Sequence, residues 1–183
     1  MKEVDLSKFN NDWYNPGAGK IKKILWFLVN GLLFQSRINA FSSCKVRLLR
    51  LFGAEVGNGV VIKPSVNIKY PWLLSIGDNV WIGERVWIDN LAKVTIGNNV
   101  CLSQGAMLLC GNHDYKKVSF DLMVGEIKLE NGVWIGSHSI VCPSVLCASH
   151  AVLSVNSVAV SDLEAYKIYQ GNPAVEVRNR AIV

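Results

Sequence analysis

The chain has 183 residues, half of them apolar, and a formal net charge of +5. This length suits one domain with a core of its own, and the polar N-terminus lacks an apolar segment with a cleavage site, so no signal peptide is expected. The five cysteines (Cys44, Cys101, Cys110, Cys142, Cys147) are odd in number and lack CxxC spacing, which argues against a disulfide framework or a zinc–thiolate site and for reduced thiols in a cytoplasmic protein.

The charge is concentrated at one end. Residues 1–52 carry nine Lys/Arg against three Asp/Glu, and the remainder ten against eleven. From Lys20 to Arg50 there are seven basic residues and no acidic one. Such a stretch invites an anionic partner. No groove-reading motif is present and aromatic residues do not interleave the basic ones, so nucleic acid is not expected, and a membrane surface or another anionic partner stays open.

Residues 1–19 are polar and aromatic, with a turn at Trp13-Tyr14-Asn15-Pro16-Gly17. The apolar stretch from Ile21 to Phe34 reads as a helix too short to span a bilayer, which needs about 20 apolar residues. A second helical pattern places Phe41, Cys44, Leu48 and Phe52 on one face and stops at Gly53. This pair over residues 1–54 has two readings. It packs on the start of the domain beyond Gly53 and caps its open end, or it anchors the protein peripherally on an anionic membrane through residues 20–52.

From Val56 an aliphatic residue recurs every six positions: Val56, Ile62, Ile68; Ile76, Ile82, Ile88; Ile96, Leu102, Leu108; then Leu129, Ile135, Val141, Cys147, Leu153 and Ala159. Small or branched residues follow most of these by four positions. Two inward positions in six fit neither a helix nor plain strand alternation. They fit a solenoid of triangular coils, three hexads per coil, stacked at about 4.8 Å. The register predicts that Val56, Ile76, Ile96, Leu129 and Cys147 lie above one another. The corners after the first four, Asn58-Gly59, Asp78-Asn79, Asn98-Asn99 and Asn131-Gly132, support this, since these residue types tolerate positive φ. The other two faces lack that signature. The first two coils are each two residues longer than three hexads, which one widened corner absorbs.

The expected fold is therefore mostly β: a parallel β-helix of about five coils over residues 55–161, a helical segment before it and a tail over 162–183. After Leu108 the period breaks, and residues 111–126 form a protruding loop. His113 stands at its root, where an imidazole on a rigid edge is a natural general base.

Gly111-Asn112-His113, Val133-Trp134-Ile135-Gly136-Ser137-His138 and Gly171-Asn172-Pro173-Ala174 give the chain its likeness to a family. It resembles the hexapeptide acyltransferases of left-handed β-helix fold. Arg47-Leu48-Leu49-Arg50-Leu51-Phe52-Gly53-Ala54 and Ile68-Lys69-Tyr70-Pro71-Trp72 make it similar, over nearly its whole length, to the acetyltransferases of colanic-acid and other exopolysaccharide biosynthesis. The resemblance implies a homotrimer with sites between subunits, transferring acetyl from acetyl-CoA to a sugar hydroxyl without a metal. It implies His113 as general base, Ser137 near the thioester oxygen, Trp134 lining the same pocket, and Arg178, with Arg180 nearby, reaching CoA phosphate. Asp114 is a candidate to orient His113. Arg85, Asp89 and Asn90, on the second coil, are candidates to face the acceptor, which is either nucleotide-linked or lipid-linked. The sequence departs from the family in its final coils. Val155 stands in a stretch where glycines usually flank the pantetheine, and Ser161 where a lysine often approaches the nucleotide. Two other readings remain: an inactive trimeric scaffold, motivated by the missing glycines, and a metal-dependent hydratase of the gamma carbonic anhydrase type, which would need His138 and His150 to converge with a third imidazole.

Overall fold

The computed structural model describes residues 3–38 and 41–183; Met1, Lys2, Asn39 and Ala40, which belong to the expected helical segment 1–54, lie outside the described residues. Three parallel sheets form the walls of a solenoid. The first stacks Glu55–Val56, Leu74–Ile76, Val94–Ile96, Ile127–Leu129 and Leu146–Cys147; the second stacks Val61–Ile62, Trp81–Ile82, Cys101–Leu102, Trp134–Ile135, Val152–Leu153 and Lys167–Gly171; the third stacks Asn67–Ile68, Trp87–Asp89, Met107–Leu109, Ile140–Val141 and Val158–Ala159. The register pairs Val56 with Ile76, Ile76 with Ile96, Ile96 with Leu129 and Leu129 with Cys147, as the hexad spacing requires. The inward columns Ile62-Ile82-Leu102-Ile135-Leu153 and Ile68-Ile88-Leu108-Val141-Ala159 are buried throughout.

The first two coils widen at the corner between the third and first walls. There Leu74 and Val94 take the second inward slot and Ile127 takes it below them, while Ala92 is only partly buried. At the corner between the first and second walls the Asx residues form a ladder. The Asp78 carboxylate accepts from the Asn58 N–H (2.6 Å), the Asn98 side chain from Asp78 (2.8 Å) and the Asn131 side chain from Asn98 (2.8 Å). The residue after each rung has positive φ: Gly59, Asn79, Asn99, Gly132, then His150. The corner between the second and third walls also turns through positive φ in every coil, at Ser65, Arg85, Gly105, His138 and Asn156. Only Gly105 and Asn156 there advertise it by type, so the sequence showed one recurring left-handed corner where the structure has two, with Ser144 adding a single turn of the same kind at the third.

The N-terminal segment covers the open edge of the first coil. Helix α1 (Lys20–Val29) continues into a π-helical turn (Asn30–Phe34), and α2 (Ser42–Leu51) follows. Trp26 Nε1 donates to Ile68 O (2.8 Å), Lys45 Nζ to Lys63 O (2.8 Å), and the Ser42 hydroxyl accepts from Ile62 N (3.0 Å). Lys45 is buried, and burial pulls its ammonium below the usual lysine range. Residues 162–183, expected as a tail, begin a sixth coil. Leu163 bridges to Cys147, and Lys167–Gly171 extends the second wall and pairs antiparallel with Ala174–Asn179. The coil spacing leaves no room at some corners: a Cβ on Gly83 would sit 2.8 Å from Gln104 N and 2.9 Å from Leu102 O. Gly83→Ala should therefore cost about 1–3 kcal/mol in urea unfolding, whereas an unchanged midpoint would mean the coils are less tightly stacked than described.

Candidate active site

The excursion after the third coil is an antiparallel hairpin rather than an irregular loop. Gly111–His113 pairs with Leu122–Val124, and His113 lies opposite Leu122. It leaves the solenoid at the corner between the third and first walls. His113 Nδ1 is 2.9 Å from the carbonyl oxygen of Phe120, and the imidazole stacks on the Phe120 ring at 4.4 Å with 6° between planes. A carbonyl can only accept, so Nδ1 carries the proton and Nε2 of the neutral ring keeps its lone pair for a substrate. Phe9 packs on the same ring at 5.6 Å. Asp114 does not orient the imidazole: its carboxylate accepts from Lys116 N (3.1 Å), and its backbone pairs with Asp121. Adjacent residues on a strand point to opposite faces, and the carbonyl across the hairpin takes the orienting role.

His113 opens into a cavity of about 630 Å³ lined by Phe9, Asn11, Tyr14, Lys69, Tyr70 and Leu91, among others. Much of this lining comes from the N-terminal segment, where the sequence pointed only to a turn. Tyr14 is anchored by its hydroxyl to Leu91 O (2.7 Å), and burial raises its phenol pKa, so it stays a neutral donor. The polar and aromatic residues around Trp13-Tyr14 were the available signal. A second cavity of about 340 Å³ shares Lys23, Lys69 and Tyr70 with the first and adds Trp87, Asn67 and Asp89. Asp89 pairs with Lys69 Nζ at 2.9 Å, so the structure places it one cavity away from His113. Asn90 is buried with both ends of its amide bonded to the Tyr70 backbone, and Arg85 is exposed at the opposite corner; neither lines these cavities.

The second wall carries a separate cavity of about 560 Å³ lined by Ser103, Gln104, Trp134, Ser137, Ser154, Val155, Arg178 and Arg180. Trp134 Nε1 donates to the Ser103 hydroxyl (2.9 Å), which fixes the half-exposed indole against the wall. The Ser137 hydroxyl donates to Gln104 O (2.8 Å), and among the described residues nothing accepts from the Ser137 N–H, which leaves a backbone donor for a ligand. A smaller cavity of about 410 Å³ over Trp81, Gly83 and Glu84 shares Ser103 and Gln104 with it, so a groove runs along this wall. Ser154 and Val155, which stand where the family's glycines are absent, border the cavity without filling it. Arg180 is tied to Gly132 O (2.8 Å) and His150 O (3.1 Å), while Arg178 faces the space. Ser161 is exposed on the corner after the third wall and lines neither cavity. His138 and His150 hold corners: His138 packs over Gly105, and His150 stacks on Tyr166 at 4.8 Å. The three imidazoles thus sit on three different edges of the prism and do not converge within the chain.

A hexapeptide solenoid bearing an aimed imidazole and a long grooved wall defines the class of hexapeptide-repeat transferases. The comparisons agree. The chain is 35% identical, over 96% of its length and 97% of the relative's, to the Escherichia coli protein named "Putative colanic acid biosynthesis acetyltransferase WcaF". It is 28% identical to the galactoside O-acetyltransferase of the same organism, over 72% of this chain and 66% of the relative. A hexapeptide-repeat acetyltransferase of Vibrio cholerae, crystallised with acetyl coenzyme A, superposes with a TM-score of 0.79 at 20% identity, covering 92% of this chain and 93% of the other. No family model matches the chain. The chain belongs to the acetyltransferase family of the colanic acid biosynthesis relative. The tautomer argument is directly checkable. Nitrogen-15 spectra of the histidines in alkaline solution should show His113 as the Nδ1–H form, and an Nε2–H signal would contradict the Phe120 hydrogen bond.

Proposed function

We propose that the protein is an O-acetyltransferase that moves acetyl from acetyl-CoA to a sugar hydroxyl in surface-polysaccharide assembly. The observation that carries this reading is His113, with Nδ1 held by a carbonyl, lining a roomy, polar and aromatic cavity. Aromatic faces beside hydroxyl, amide and ammonium groups suit a saccharide acceptor. Family membership and the sugar-directed name of the galactoside relative support the same class.

In this mechanism the Nε2 lone pair takes the proton of the acceptor hydroxyl as its oxygen attacks the thioester carbonyl. The C–O bond forms, the carbonyl π pair moves to oxygen, and the Ser137 N–H stabilises the resulting oxyanion. Collapse re-forms the carbonyl and breaks the C–S bond, and the imidazolium returns its proton to the departing thiolate. The Phe120 carbonyl holds the ring through both transfers.

The His113 cavity and the Trp134–Ser137 cavity share no lining residue, so one chain carries two half-sites. We read the complete site as lying between subunits of a homotrimer. The outward columns support this. On the first wall they read Glu55, Ser75, Thr95, Lys128, Leu146; on the second, Val61, Trp81, Cys101, Trp134, Val152, Ile168; on the third, Asn67, Trp87, Met107, Ile140, Val158. The second wall and, after Asn67, the third are apolar outside, while the first is polar as far as Leu146, as expected if two walls meet neighbours. His113→Ala should lower acetyl transfer by about 10²–10⁴-fold while light scattering still reports a trimer; full activity in that variant would sink the mechanism. Arg178→Ala should weaken CoA binding roughly tenfold in calorimetry with the acceptor KM little changed; the reverse pattern would put Arg178 on the acceptor side.

A further inference from the structure

Helix α1 and the π-helical turn that continues it present two faces. Trp26, Asn30 and Phe34 turn toward the solenoid and are buried. Ile21, Ile24, Leu25 and Leu28 recur at i, i+3, i+4 and i+7, which puts them on one stripe, and Leu32 follows one turn on. These five side chains are each at least 50% exposed, and Phe27 beside them is 75% exposed. A contiguous run of this kind exceeds the scattered apolar residues of an ordinary surface and marks a contact.

Charge identifies what makes the contact. No acidic residue occurs from position 13 to position 54. The structure spends some of the basic residues internally: Lys45 on Lys63 O, Arg50 on the carbonyls of Val56 and Gly57, and Lys22 over the Trp72 ring at 4.9 Å. Lys20 at the start of the stripe, Arg37 beyond its end and Arg47 on α2 remain exposed. Two copies meeting through this face would bring those cations together with no carboxylate from 13–54 to neutralise them. Anionic headgroups would neutralise them all. No helix among the described residues is long and apolar enough to cross a membrane, so the geometry is that of a helix lying in the interface with its charged flanks at the headgroups.

We infer that the exposed face of α1 docks the protein peripherally on an anionic lipid bilayer. Lys23 and Phe27 of this helix also line the cavity that adjoins the His113 cleft. Docking would therefore bring the acceptor cleft to the lipid surface, where a saccharide carried on a lipid is presented; this consequence rests on the function proposed above, while the docking itself does not.

The test is co-sedimentation of the full chain with phosphatidylcholine vesicles, with and without phosphatidylglycerol. Binding should be at least about tenfold tighter with the anionic lipid and should weaken with added salt. The double variant Leu25→Glu/Leu28→Glu should lose at least about tenfold in vesicle binding while its oligomeric state and urea midpoint stay unchanged. Lys20→Glu/Arg37→Glu, which leaves the apolar stripe intact, should lose a similar factor on anionic vesicles only, and it decides the matter should the first variant fold poorly. Absence of binding to anionic vesicles, or binding that neither variant alters, overturns the inference. A change of oligomeric state in Leu25→Glu/Leu28→Glu overturns it too, because the face would then be a subunit contact.

Discussion

A triangular coil of about 18 residues cannot bury its own apolar face, and its backbone hydrogen bonds run to the coils on either side. Every other feature of the chain follows from that constraint. Within the stack, identical corner geometry in successive coils lets the columns of Ile, Leu and Val register without voids and lets the Asx side chains at one corner bond the coil before. At the ends of the stack the same axial bonding leaves unpaired backbone groups, an exposed template for unwanted pairing. The N-terminal segment ends one side by supplying side-chain donors and acceptors: Trp26 and Asn30 at the third wall, Ser42 and Lys45 at the second, Arg50 at the first. The hairpin Lys167–Gly171/Ala174–Asn179 ends the other.

This rigid prism explains how the His113 imidazole can be held in place on an insertion. The hairpin is anchored at both feet, since Gly125 N bonds Cys110 O and the chain re-enters the first wall two residues later. Its tip is tethered to the N-terminal segment through Asp5 N and Val118 O, and Phe9 reaches the imidazole itself. The segment that caps the coil thus also builds one lip of the His113 cavity. Orientation of His113 by a carbonyl rather than a carboxylate has a chemical consequence. It sets the tautomer without placing a negative charge against the ring, so the imidazole is not half of an ion pair.

Much of this was legible in the residues. The hexad spacing placed the long aliphatic columns correctly, because a period of six with two inward slots has few alternative registers, but it missed that the widened corner buries Leu74, Val94 and Ile127 and not Ala92. The Asx and Gly types at one corner were equally readable. The second left-handed corner was not, because Gly105 and Asn156 stand there among Ser65 and Arg85, which ordinarily avoid positive φ. Each bears a local cost of order 1–2 kcal/mol, and the stacked coils impose the corner regardless of what occupies it. The hairpin strands were hidden for a related reason: three-residue strands without alternation carry no periodic signal. Among the residues singled out, Trp134, Ser137, Val155 and Arg178 line the cavity on the second wall, His113 lines the one beneath the hairpin, and Asp89 the one adjoining it. Asp114, Arg85, Asn90 and Ser161 line none of these, because proximity in sequence or on one coil says little about which face of a corner a side chain takes. Phe9 and Tyr14 were missed since they reach the cleft through tertiary contacts alone.

The central claim is that the grooved second wall still serves acetyl-CoA although the final coils have lost the glycines usual beside the pantetheine. A calorimetric titration of the intact protein with acetyl-CoA tests it most directly. The account predicts micromolar binding with about one site per chain, each site completed by a neighbouring subunit. Absence of binding would mean that Ser154 and Val155 have closed the channel, and the protein would then be a scaffold on a transferase fold.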